Sequence, residues 1–162
     1  CILVAEELAD RYTDRPVWVR GTGLGLDRVM HQHKQDMTTF PPTVKAAKQA
    51  YAMAGIGPDD IDVAEVHDCF TGVELINYED LGFCGRGEGA SFTEGGALEL
   101  GGRLPINTSG GGLSEAYVHG FNLILEGVRQ LRGTSTSQVP DAESCLVTGG
   151  EGVPTSAMLL RR

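Results

Sequence analysis

The sequence predicts an α/β fold: a mixed, mainly parallel sheet with helices on both faces and an antiparallel strand pair at its end. Three observations carry that expectation. Apolar segments of strand length alternate with segments of helical period. The last two strand-like segments are separated only by Gly149-Gly150-Glu151-Gly152 and its flank, the spacing of an antiparallel pair. Every glycine-rich or titratable feature lies just after a strand, where open α/β sheets gather their ligands.

In chain order, residues 1–4 read as a short strand and 6–12 as a helix, stopped by Thr13-Asp14-Arg15-Pro16 because the residue before proline disfavours helix. Residues 17–21 read as a strand. Gly21-Thr22-Gly23-Leu24-Gly25 after it lacks the glycine spacing and the acidic strand end of a dinucleotide fingerprint, and is expected to be a loop. His31 and His33 flank Gln32 in a polar stretch with no further ligand nearby, so a solvated loop is expected there rather than a metal site. Pro41-Pro42 opens a helix over 43–54 whose inner face is Val44, Ala47, Tyr51 and Ala54, ended by Gly55 and a Gly57-Pro58-Asp59-Asp60 turn.

Residues 61–66 form the next strand, running into His67-Asp68-Cys69-Phe70 and a helix over 71–81. His67, at the exit of a buried strand beside an acid, has two readings: a base or hydrogen-bond donor in a cleft, or a core histidine satisfied by a carbonyl. Cys69 reads as a structural thiol, since the flanking acids raise rather than lower its pKa. The glycine-rich residues 82–102 read as a long surface excursion. A Ser/Thr-rich loop over 133–141 and strands over 143–148 and 155–160 complete the chain.

The stretch from Ile106 to Gly120 organises the rest: a strand over 104–106, then Asn107-Thr108-Ser109-Gly110-Gly111-Gly112, then a long helix with Tyr117 and His119 in its first turns. Tyr117, Phe121, Ile124, Val128 and Leu131 recur at helical spacing and form its expected apolar face. Three consecutive glycines cost backbone entropy and bring no side chain, so they point to close approach of backbone N–H groups to a ligand. A helix start suits a carbonyl oxygen or an anion. Ser109, Gly110, Gly111, Gly112 and Gly150 are therefore the candidate substrate or oxyanion contacts, and the His67 turn, this loop and the 149–152 turn are expected to converge.

Composition sets limits. The 162 residues suffice for one domain with a core, and 41% apolar content fits a globular chain. A net charge of −9 with no basic stripe argues against nucleic acid. No apolar run reaches bilayer-spanning length, and no signal peptide is visible, so no membrane partner is expected. Cys1, Cys69, Cys84 and Cys145 have no metal-ligand spacing, which suggests reduced thiols and a cytoplasmic setting. The abrupt apolar start suggests the carboxyl-terminal part of something longer.

His67-Asp68-Cys69-Phe70 with Glu74-Leu75 and Tyr78-Glu79-Asp80-Leu81-Gly82 resembles the second-half motif of thiolases, especially the sterol-carrier/lipid-transfer-protein group. Asn107-Thr108-Ser109-Gly110-Gly111 and Gly149-Gly150-Glu151-Gly152 are similar to two further glycine segments of that family. The resemblance covers nearly the whole chain. It implies a thiolase-like carboxyl-terminal domain over 1–162, with residues 1–15 as the end of a preceding domain and linker, in a subunit that forms at least a homodimer.

The departures redirect the chemistry. Tyr117 stands where thiolases carry a histidine, Val118 where they carry a proline, and Leu146 where they carry their second cysteine. Cys145 is one residue away, on the opposite face of a strand. Tyr-Val-His-Gly at 117–120 and the stretch 126–133 resemble the thiolase-like aldolases of steroid side-chain degradation. Those act on coenzyme A thioesters with a small partner carrying an OB-fold and a zinc ribbon. In that subgroup a tyrosine is expected where His67 stands. The resemblance implies retro-aldol cleavage of a β-hydroxyacyl-CoA, with Tyr117 as base, His67 as proton relay or oxyanion donor and His119 supporting Tyr117. No metal and no covalently bound cofactor are implied; coenzyme A enters as part of the substrate. A thiolase-type acyltransferase and a non-catalytic acyl-binding or scaffolding module are the alternatives.

Overall fold

The computed structural model describes residues 1–27, 33, 36–115, 118–150 and 155–162. Four strands form one mixed sheet in the order β1-β4-β3-β2: β1 Trp18–Gly25, β2 Val63–Glu65, β3 Ser144–Gly149 and β4 Thr155–Arg161. β2 pairs with β3 in parallel, while β4 runs antiparallel to both β3 and β1. The expected terminal antiparallel pair is thus present, and antiparallel pairing extends one strand further, to β1.

Alternation along the strands splits the core into two layers. Ala64, Val66, Leu146, Ala157 and Leu159 face one way and pack with Ala46, Ala47 and Ala50 of α1 (Pro41–Ala54). Val63, Cys145, Val147 and Leu160 face the other way and meet Leu123 and Leu131 of α5 (Phe121–Arg132). Helices therefore cover both faces. None among the described residues is long and apolar enough to cross a membrane.

Several elements differ from the sequence reading for identifiable reasons. Residues 1–4 are not a strand; Ile2 and Leu3 are exposed, and the first regular element is a 3-10 helix, Glu6–Arg11. The glycines at 21, 23 and 25 are not a loop but one face of β1. A Cβ on any of them would collide with the carbonyl of Ala50, Ala46 or Pro42, so α1 lies directly on the strand backbone. That contact rotates α1: Ala46, Ala47 and Ala50 are buried, whereas Val44, Tyr51 and Ala54 are only half-buried. The segment after α2 (Thr71–Asp80) is not a bare surface excursion. It carries α3 (Gly89–Phe92) and sends Phe83 and Phe92 into the core, Phe92 meeting the Tyr78 ring edge-on at 5.8 Å.

The strand expected over 104–106 reduces to a single parallel bridge between Ile106 and Ala64. The long helix expected to contain Tyr117 and His119 is two elements, a single turn α4 (Gly111–Ser114) and then α5. Glu115 is extended and Gly120 adopts a left-handed conformation before α5, so His119 lies in the connecting turn. The buried face of α5 is also displaced from the apolar stripe. Phe121 is exposed, while Asn122, Glu126 and Gln130 are buried beside Leu123, Gly127 and Leu131. Glu126 and Gln130 have hydrogen-bond partners in the 107–112 and 133–139 segments, which offsets the cost of burying them.

Candidate active site

Parallel pairing of β2 with β3, plus the Ile106 bridge, brings three carboxyl-terminal strand ends to one edge. Beyond them lie the His67 turn, the loop of residues 107–112, and Gly149 with Gly150. The backbone N–H of His67 donates to Oγ1 of Thr148 at 2.9 Å, and that of Asn107 donates to the Ala64 carbonyl at 2.9 Å. Asn107 is one of two non-glycine residues with positive φ among the described residues, a conformation that asparagine tolerates. Its Oδ1 accepts the Val66 N–H at 2.7 Å and its Nδ2 donates to Glu74 at 3.2 Å, which fastens the loop to the strand end.

His67 is buried, and its ring lies 5.4 Å from that of exposed His119, tilted by 56°. His119, Gly120, Phe121, Thr148, Gly149 and Gly150 line a cavity of about 440 Å3. The structure thus brings together His67, His119 and Gly150 from the expected site. Tyr117, the expected base, lies outside the described residues, as do Glu151 and Gly152.

The glycine loop serves a different anion from the one the sequence suggested. The Asp68 carboxylate accepts the N–H of Gly112 at 2.8 Å and of Leu113 at 3.1 Å. Gly110 donates its N–H to the Asn107 carbonyl, and the Ser109 hydroxyl donates to Glu115 at 2.7 Å. The N–H groups of Gly110 and Gly112 are therefore engaged inside the protein rather than open to a substrate oxygen. Gly111, at φ +60°, is pressed against Asp68 so closely that a Cβ would overlap its carboxylate. The close approach that three glycines imply is real; the partner is Asp68.

Sequence reading missed Asp68 in this role, although it follows His67 directly. It also missed Thr148, a hydroxyl ending an apolar strand before two glycines. A third omission is Glu65, an acid inside a short strand that is buried along its whole length. Oγ1 of Thr108 stands 2.9 Å from both Glu65 and Glu126. Burial, reinforced by the charge of Glu126, pushes the Glu65 pKa up to about 8.

Cys145 is fully buried, and burial raises its thiol pKa well above the ordinary value. Its sulfur packs against Gly127 of α5, and it takes no part in lining the cavity. Leu146, where thiolases carry their second cysteine, is buried under α1. Among the described residues, no group of three or more His, Cys, Asp or Glu is placed to hold a metal ion.

These features define an α/β domain with a histidine-lined cavity at the carboxyl ends of its strands. Residues 23–160 match the family model for thiolase C-terminal domain-like proteins, and the chain belongs to that family. It is 45% identical to the 17-hydroxy-3-oxo-4-pregnene-20-carboxyl-CoA lyase of Mycobacterium tuberculosis, covering 90% of this chain and 39% of that protein. It is 46% identical to the steroid side-chain-cleaving aldolase of Thermomonospora curvata, covering 89% of this chain and 37% of that one. Among solved structures, an Ltp2-ChsH2(DUF35) aldolase superposes with a TM-score of 0.92 at 42% identity, covering 98% of this chain and 42% of that one. The chain spans about two fifths of the length of these relatives.

Proposed function

We propose that this chain is the carboxyl-terminal domain of a thiolase-like lyase that cleaves a β-hydroxyacyl-CoA of the steroid or lipid side-chain type by retro-aldol chemistry. Residues 1–15 would then close a preceding domain and linker. The supporting observation is the His67–His119 pair at a cavity from which the Cys145 thiol is sealed away. A condensing thiolase needs a second thiol at this place to shuttle a proton; cleavage of a β-hydroxyacyl thioester does not.

In this reading Tyr117 removes the β-hydroxyl proton. The oxygen lone pair closes to a carbonyl as the Cα–Cβ bond breaks, and its electrons move onto the thioester as an enolate. The enolate takes a proton at carbon, giving a shortened acyl-CoA and an aldehyde or ketone. His67 relays the proton or donates to the enolate oxygen, and His119 lowers the cost of the Tyr117 phenolate. Ser109, Gly111 and Gly150 remain candidates for substrate contact at the rim. Similarity to the Ltp2-ChsH2(DUF35) aldolase, a two-component assembly by name, supports a small partner protein, here proposed to carry an OB-fold and a zinc ribbon. The lyase subunit is proposed to work as a homodimer.

The test is turnover by the complete protein with its partner. Tyr117→Phe is expected to abolish release of aldehyde or ketone while substrate still binds. Exchange of acetyl groups with free coenzyme A, without such release, would overturn the lyase reading in favour of an acyltransferase.

A further inference from the structure

Beneath the glycine loop, one hydroxyl sits between two buried carboxyl groups. Oγ1 of Thr108 is 2.9 Å from Oε1 of Glu65 and 2.9 Å from Oε1 of Glu126, and it accepts a hydrogen bond from Nε2 of Gln130 at 2.8 Å. A threonine hydroxyl carries a single proton, so it donates to only one of the two carboxyls. The other contact, at hydrogen-bond distance between two oxygens, requires a proton on the carboxyl itself.

Counting donors decides which carboxyl carries it. Oε1 of Glu126 also accepts from the Ser135 hydroxyl at 2.6 Å and from Gln130 at 3.1 Å, and its Oε2 has the Arg129 guanidinium 4.0 Å away. That is a setting for an anion. Glu65 has zero exposure; its Oε1 has only the Thr108 N–H besides, at 3.3 Å, and its buried Oε2 has no hydrogen-bond partner. An ionised carboxylate in that position would be deprived of both water and donors.

We propose that Glu65 is held protonated and donates to Thr108, which donates to ionised Glu126, so that one shared proton clamps the 107–112 loop onto the strand end. Glu65 and Glu126 are then positioning residues. They act through Thr108 on the loop whose backbone holds Asp68, next to His67. The charged and titratable groups around Glu65 are Glu126 with Arg129 behind it on α5, Glu115 beyond α4, and the neutral thiol of Cys145 on β3. The nearest full charge is negative, so losing the Glu65 proton sets two anions against one hydroxyl and loosens the clamp. Burial and Glu126 raise the group from its ordinary 4.5 to about 8 in the folded state. The sign follows: its contribution is complete below about pH 4.5, declines as pH rises above that, and is gone above about pH 8.

The experiment compares the complete protein with its Glu65→Gln variant, whose amide keeps a donor toward Thr108 without a titrating proton. In the infrared, wild type is expected to show a protonated carboxyl carbonyl band at pH 7 that is absent from Glu65→Gln and fades as pH passes 8. In denaturant titrations, the wild-type folding constant relative to Glu65→Gln should fall about tenfold per pH unit between pH 4.5 and 8. A band that persists in Glu65→Gln, or a stability ratio flat across that range, would overturn the clamp. The bearing on turnover rests on the lyase reading, where Glu65→Gln should retain cleavage and extend it to higher pH. Wild type that releases no aldehyde or ketone, yet shows the band and the slope, would count against that reading and leave the clamp supported.

Discussion

Gly111 lies against Asp68 so tightly that no side chain fits between them, and the next two N–H groups, of Gly112 and Leu113, close onto the same carboxylate. Charge-assisted bonds of this kind are about twice as strong as neutral ones. They tie the glycine loop to the turn that carries His67, so the geometry of the site depends on one acid and one absent methyl group.

Gly111→Ala is therefore expected to destabilise the protein by at least about 2 kcal/mol, combining a left-handed backbone that alanine resists with a clash against Asp68. Asp68→Asn, which keeps the shape but removes the charge, should cost about 1.5–3 kcal/mol. Urea unfolding measures both. A Gly111→Ala protein as stable as wild type would show that the loop is free to move off Asp68.

The seam between β1 and α1 makes a second demand. At Gly23 a Cβ would meet the Ala46 backbone, which has no rotamer with which to yield. Gly23→Ala should lower stability by about 3 kcal/mol, the upper end for overpacking, whereas Gly55→Ala at the end of α1 has open space around it and should cost only about 1–2 kcal/mol of backbone strain. Equal midpoints for the two variants would contradict the direct helix-on-strand contact.

Cys145 offers a chemical probe. A fully buried thiol with a raised pKa should resist alkylation in the native protein and react only on unfolding. Cys145→Ala should cost about 1 kcal/mol through lost packing and leave turnover near wild type. Mass spectrometry after a timed iodoacetamide pulse, together with the cleavage assay, checks this. Rapid native labelling, or loss of activity in Cys145→Ala, would return the thiol to the reaction.

His119 and His67 should separate by their exposure. His119→Ala, on the cavity wall and exposed, is expected to change stability by no more than about 0.5 kcal/mol. It should nonetheless reduce kcat on the order of 100-fold, the lower range for a group that assists proton transfer. His67→Ala should reduce both kcat and stability, since that ring is buried. Steady-state kinetics with parallel melting curves distinguish the two, and an unchanged kcat in His119→Ala would remove it from the proposed mechanism.

Much of the fold is legible from local pattern. The apolar run before His67, the helices over residues 71–80 and 121–132, and the closing strand pair all follow from periodicity and from glycine or proline punctuation, which act over a few residues. The convergence of the His67 turn, the 107–112 loop and Gly150 also follows, because parallel strands place their carboxyl ends together. Local pattern fails at Gly21, Gly23 and Gly25, at the buried face of α5, and at the partner of the glycine loop. Each of these depends on a group distant in the chain.

By itself, the sequence determined the kinds and order of elements, the edge of the sheet where the candidate site is proposed, and the family resemblance. Those rest on backbone periodicities and on residue identities read in place. Tertiary structure alone decided what the glycines approach, why Glu126 and Gln130 turn inward while Phe121 turns out, and that Cys145 packs against α5 away from the cavity lining. The physical reason is the same in each case. The cost of burying a polar group or omitting a side chain is set by what packs against it, and that neighbour is known only once the chain has closed on itself.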